Sequence, residues 1–332
     1  DAARSIQTAD YYEGLALAMA TDEEALALVD PLGDPNQTPV RLFACVHHLT
    51  LVEPDLPLAR YYRELSTATD ADLDAVTDLA WPLSRSLLFE RADELRAAMS
   101  PRTIQTTEVG RVAALVPALT DAASRLVAQG ALPPISLVEI GPSAGLNLFA
   151  DKYRVDYSDG RTTGPGDGSL VLTCQVLGPN RPPLPPEDGL QIRRRVGIDI
   201  APLDVTADDD CRWLEACVWP GLTERSRRLS HAIELARTDP PLLHRGSALE
   251  LLAPVVDQIP DDELVVVVST WVLAYFSKPD RARFLDLLHS IGARRDLAFI
   301  AGEYPQVASW VPEPERPAAV QEGKGATLLS TT

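Results

Sequence analysis

Cysteine is scarce: Cys45, Cys174, Cys211 and Cys217 are the only four in 332 residues, and none is spaced as C-x-x-C. So few, so scattered, they exclude a disulfide framework and point to a reducing, cytoplasmic setting. The five histidines, His47, His48, His231, His244 and His289, form no H-E-x-x-H or Cys/His cluster, which argues against a metal site. In "LFACVHHLTLV", His47 and His48 read as one core-facing and one surface-facing helical histidine. Basic charge is short as well: 30 Lys and Arg against 48 Asp and Glu leave a formal net charge of -18. Phosphate is repelled by such a chain, so nucleic acid and anionic membrane are not expected partners. The clusters "RRR" at 193–195 and "RSRR" at 225–228 read as solvated surface. No apolar run approaches the roughly 18 to 20 residues needed to cross a bilayer, and the start carries no charged-then-apolar signal segment, so a soluble protein is expected.

What is present divides by periodicity. From about residue 9 to 130, apolar residues recur at three and four, as in "YYEGLALAMA" and "SRSLLFERADELRAAM", and predict helices. One of these is "TTEVGRVAALVPALTDAASRLVAQG", with Thr107 as N-cap, Glu108 favourable to the helix dipole and Gly130 as stop signal. After residue 131 the pattern becomes short apolar runs separated by helical segments, the signature of a parallel sheet with crossover helices. The strand candidates are "ISLVEI", "RRVGIDI", "PLLHRGS", "ELVVVVST" and "DLAFIAG"; the helical ones include "DDDCRWLEACVWPGLTERSRRLSHAIELART" and "PDRARFLDLLHSI". The expected organisation is a helical N-terminal cap over 1–130, an α/β Rossmann-like domain with a mainly parallel, doubly wound sheet over 131–305, and a C-terminal extension over 306–332 that holds at most one short strand. A Pro/Gly-rich insertion at 156–192 reads as a loop with one short hairpin around "LVLTCQVL".

The chemistry concentrates in "ISLVEIGPSAGLNLFADKY", residues 135–153. Its centre admits two readings. As G-x-S-x-G it is a nucleophile elbow with Ser143 attacking, but no oxyanion "HGGG" precedes it and the upstream region reads as helices rather than sheet. As E-x-G-x-S-x-G it is a cofactor turn. A strand ending in Glu139, a Gly141 to Gly145 turn and an ensuing helix bring amide groups towards a bound carboxylate or ribose. "VGIDI" then supplies Asp199, with Ile200 beside it, at the end of a second strand, suited to two ribose hydroxyls. Further candidates are Ser247 and the Ala248 backbone in "RGSALELL", facing an adenine edge, and Ser269, Thr270 and Trp271 at the end of a buried strand. G-x-G-x-x-G is absent, and the 54 positions from Gly145 to Asp199 exceed the roughly 20 expected of a compact dinucleotide unit.

That order of signals resembles class I S-adenosylmethionine-dependent methyltransferases. The chain also resembles a bacterial family known as domain of unknown function 2332, through "IQTTEVGR", "LVEIGPSAGLNLFADKYRVDY", "GIDIAPLDV", "VWPGLTER", "DPPLLHRGSALELL" and "VLAYF". It departs from that family's pattern at Ala201, where relatives carry Asn, and at Ser269, where they carry His. The resemblance implies S-adenosylmethionine as cofactor and methyl transfer to a small molecule as the activity, and the net negative charge favours a neutral or cationic substrate. On that reading Glu139 orients the loop or the methionine ammonium, Ser143 lies near its carboxylate, and Asn147 and Asp151 follow on the next helix. Methyl transfer needs an in-line nucleophile and at most a base. Glu108, Arg111, Tyr275, Glu303 and Tyr304 are candidates to face the crevice, with a Glu108–Arg111 ion pair as the competing role for Arg111. A non-catalytic ligand sensor on the same fold and a Ser143 hydrolase are the alternatives.

Overall fold

A computed structural model describes residues 12, 14–29, 38–67, 80–100, 102–126, 132–166, 170–177, 179–304, 306–308 and 328–331. The chain falls into two compact units: one within Asp1–Thr106 and Asp204–Ser230, the other within Thr107–Leu203 and His231–Thr332. The helix leading into the glycine stretch thus belongs with the sheet rather than with the N-terminal helices.

The first unit is helical, as the periodicity predicts. It contains α1 (Glu23–Val29), α2 (Thr38–Val52), α3 (Pro57–Thr67), α4 (Ala80–Glu90), α5 (Ala92–Met99) and, from later in the chain, α7 (Asp208–Ala216). Both residues of the histidine pair are half-buried: His47 Nδ1 lies 3.2 Å from the Ala216 carbonyl and His48 Nε2 3.0 Å from Oδ1 of the exposed Asp209. Burial drives the His47 pKa down to about 4, so it is neutral at pH 7.

In the second unit, α6 (Val112–Ser124) precedes β1 (Ile135–Ile140). Thr107 is not its N-cap. Glu108 caps a preceding 3-10 turn, Val109–Arg111, and Gly130 lies outside the described residues. Next come β2 (Arg154–Tyr157), β3 (Thr162–Thr163), β4 (Val171–Cys174) and β5 (Ile192–Asp199). The long helical candidate after β5 is two helices, α7 and α8 (Thr223–Thr238), because "WPG" at 219–221 interrupts it and Gly221 takes a φ of 89°. Then follow β6 (Leu242–Arg245), α9 (Ala248–Val256), β7 (Leu264–Thr270), α10 (Lys278–Gly292), β8 (Leu297–Glu303) and β9 (Leu328–Thr331).

The main sheet has the order β6-β5-β1-β7-β8-β9, parallel throughout except for β9, which runs antiparallel to β8. Every residue of β1 and β7 is buried, which explains "ISLVEI" and "LVVVVST" as continuous rather than alternating apolar runs. Val138, Val267 and Phe299 pack with Leu252 and Val256 of α9 and Phe284 and Leu288 of α10 in one core. Both helices are capped by serine, Ser247 accepting from Leu249 N and Ser277 from Asp280 N.

The Pro/Gly-rich insertion is more ordered than its composition suggests. β2 pairs antiparallel with β3 and parallel with β4, so "LVLTCQVL" contributes one strand, not a hairpin. Its partner is 17 positions upstream, a long-range pairing that local turn signals do not reveal. The "RRR" run lies in β5: Arg193 and Arg194 are exposed, as expected, with Arg194 Nε reaching Glu263 at 3.2 Å, whereas Arg195 turns inward and its Nη2 grips both oxygens of Asp151 at 2.7 Å.

Behind α9, the guanidinium of Arg295 donates to the carbonyls of Val256, Ile259, Pro260 and Glu263 at 3.1, 2.8, 2.8 and 3.2 Å. It thereby satisfies the end of α9 and the loop into β7. Arg295→Ala is expected to lower unfolding free energy by about 2 kcal/mol in urea titration, and Arg295→Lys to recover less than half, because an ammonium cannot reproduce the planar fork. Among the described residues, no helix is long and apolar enough to cross a membrane.

Candidate functional site

The stretch after β1 is built from backbone torsions. Gly141, Ser143 and Gly145 all take left-handed values, with φ of 66°, 59° and 74°. Gly141 N bonds to Ile198 O at 2.9 Å and Gly145 N to Pro142 O at 2.9 Å, so the loop folds back over the end of β5. Contact here is close: a Cβ on Gly141 would lie 2.5 Å from Val272 Cγ2, and one on Gly197 2.5 Å from Pro142 Cγ. The glycine of "GIDI" thus makes room for the proline of "GPSAG". The expected helix does not follow. Leu146–Phe149 is a single 3-10 turn, after which the buried Tyr153 donates its hydroxyl to Leu146 O at 2.7 Å and the chain enters β2. There is accordingly no helix dipole at this loop, and Asp151, expected on that helix, serves Arg195.

Asp199 fastens the loop from the neighbouring strand. Its Oδ2 accepts from Ser143 N at 2.9 Å and its Oδ1 from Ala201 N at 2.8 Å. Each carboxylate oxygen keeps a further lone pair. Glu139 is 3% exposed, and its Oε1 accepts a long bond from Asn147 Nδ2 at 3.4 Å. Burial pushes its carboxyl up to about 7; Asn147 and Arg111 oppose that shift, and Asp199 adds to it. Three buried polar atoms here, Glu139 Oε2, Ser143 Oγ and Asn147 Oδ1, have no hydrogen-bond partner among the described residues. A buried polar atom left unpaired is costly, so three on and beside one loop call for an explanation.

Across the sheet, Glu303 at the end of β8 is fully buried. Its Oε1 accepts from Val272 N and Leu273 N, both at 2.9 Å, and from Ser269 Oγ at 3.4 Å. Burial raises its pKa. Thr270 receives Arg111 Nη1 at 3.1 Å, and the Arg111 guanidinium lies 4.8 Å from the centre of the Trp271 ring.

The model of the family described as "Uncharacterized protein conserved in bacteria (DUF2332)" matches residues 2–329. The chain belongs to this family. No curated protein matches it.

In this DUF2332 member the predicted residues separate into two groups. Glu139, Gly141, Ser143, Gly145, Asn147 and Asp199 come together around one loop, and Arg111, Ser269, Thr270 and Glu303 gather at the ends of β7 and β8. Others have local employment. Glu108 accepts from Gly110 N at 2.9 Å as a turn cap, Ser247 caps α9, and Ala248 is buried in the core. Ile200 and Tyr275 are largely exposed, at 74% and 78%. Sequence reasoning missed Val272 and Leu273, whose amides join the β7 end to Glu303. Their signal was the acid at the end of "DLAFIAGE", which matches the acids ending β1 and β5.

Proposed function

We propose that this protein binds S-adenosylmethionine at the Gly141–Gly145 loop and transfers its methyl group to a small molecule. The observation that carries this reading is the set of orphaned, buried polar atoms on and flanking that loop, beside a carboxylate at the end of the adjacent strand. The donor set fits the group. Glu139 and Asn147 offer acceptors for an ammonium, Ser143 Oγ a donor for a carboxylate, and Asp199 its remaining lone pairs for ribose hydroxyls. The strand order supports a Rossmann-like, doubly wound reading. From central β1 the chain moves outward through β5 and β6, then crosses to β7 and β8, and such sheets take ligands where the direction reverses. When bound, the cofactor supplies an electrophilic methyl on a sulfonium. The residues here would orient it and exclude water.

The left-handed φ of Ser143 also favours the nucleophile-elbow reading, since that turn is strained in the same way. It lacks a base, however: Ser143 Oγ is buried and hydrogen-bonds to no histidine among the described residues. Calorimetry with S-adenosylmethionine and its demethylated product separates the readings. Binding is expected, weakened at least tenfold by Asp199→Ala and by a smaller factor, but not abolished, by Ser143→Ala. No binding, together with fluorophosphonate labelling of Ser143, would establish the hydrolase instead, and binding without turnover across a metabolite panel would establish a sensor.

A further inference from the structure

Trp271 is the costliest residue in its place. It follows β7 with a φ of 59°, in the left-handed region where a side chain other than glycine is strained and a bulky one most of all. The torsion itself has a structural purpose. Trp271 N still bonds to Gly302 O at 2.8 Å, and the turn then delivers the Val272 and Leu273 amides to Glu303 and the Val272 side chain to Gly141. Glycine would serve that purpose without strain, so the turn by itself does not account for the indole.

The ring is partly open to solvent, at 38% exposure, and stacks on Tyr304 with centroids 5.5 Å apart and planes 13° from parallel; Tyr304 is itself 43% exposed. Arg111, whose charge acts on Glu139 at the glycine loop, holds the indole through a cation–π contact. Exposed apolar side chains recur along this same edge of the sheet: Ile200 after β5, Trp271 and Tyr275 after β7, Tyr304 after β8. An open aromatic stack beside orphaned polar atoms has the character of a small-molecule site, apolar walls with a few placed polar groups.

We infer that Trp271 and Tyr304 form the wall of the acceptor subsite, and that the acceptor is an uncharged small molecule with a planar aromatic ring. Stacking on an aromatic pair selects flatness and π-surface, and the net charge of -18 disfavours a polyanionic carrier of the same ring, such as RNA. This deepens the methyl-transfer reading and rests on it for the word acceptor; the ring-binding wall is tested without it.

The test compares 2-naphthol with decahydro-2-naphthol, the same carbon skeleton without π-electrons, by calorimetry on the full chain with and without S-adenosylhomocysteine. Wild type is expected to prefer the naphthol at least tenfold. Trp271→Gly is expected to lose that preference, to keep S-adenosylhomocysteine affinity within twofold, and to melt within about 5 °C of wild type, since relief of strain offsets the lost stacking. Trp271→Phe is expected to retain part of the preference. If wild type binds neither alcohol or both alike, or if Trp271→Gly keeps the preference, the inference falls. Should S-adenosylhomocysteine fail to bind while the naphthol preference persists, the cofactor reading fails and the aromatic wall stands.

Discussion

Gly141→Ala is expected to lower the stability of the folded chain by about 3 kcal/mol, the sum of left-handed strain on a non-glycine residue and overpacking. The added methyl would lie 2.5 Å from Val272 Cγ2 and 3.0 Å from Cγ1. Val272 cannot retreat cheaply, because it is β-branched and its amide is bonded to the buried Glu303 at 2.9 Å. The expected signature is a fall in the urea midpoint at unchanged slope. Adding Val272→Ala should return about 1 to 2 kcal/mol, the overpacking share, and leave the backbone share in place. Additive single effects in that double-mutant cycle would mean that the loop and the β7 turn do not press on one another.

Glu139→Gln is expected to raise stability by about 3 kcal/mol at pH 8 and to change it little at pH 4, an effect of opposite sign that depends wholly on pH. The folded carboxyl is raised to about 7 from an ordinary 4.5, so between those values the folded chain holds a proton that the unfolded chain has released. Stability therefore falls as pH rises from about 4.5 to 7 and is level above, and the substitution removes that fall. Glu303, also raised by burial, keeps a slope of the same sign in the variant. Urea midpoints across pH 4 to 8 for both proteins give the difference directly. A difference independent of pH would mean that Glu139 is not desolvated in the folded state. On the proposed reading, a bound ammonium would relieve the cost of ionising this buried carboxyl, so ligand would flatten the pH dependence of wild type and leave that of the variant unchanged.

The glycine loop and its acids were legible because each is encoded locally. A buried parallel strand must be continuously apolar, so an acid in its last positions, as at Glu139 and Asp199, is conspicuous in "ISLVEIG" and "VGIDI". The partners of those acids were not legible. Ser143 and Asp199 lie 56 positions apart in the chain, and no periodicity relates them. The helix expected after the loop failed for a related reason: "LNLFADKY" suits a helix locally, but burying Tyr153 and pairing β2 with β4 turn the chain into a second sheet instead.

The sequence by itself determined where the buried strands run, that an acid stands near the end of each of β1 and β5, and that the chain carries a large negative charge. Only the tertiary structure decided that β1 sits between β5 and β7, that Glu303 anchors the turn after β7 through Oε1, and that Trp271 is strained and stacked on Tyr304. Local composition sets what a segment can bury; which carboxylate meets which amide depends on strand order, and that is fixed by packing between residues far apart in the chain.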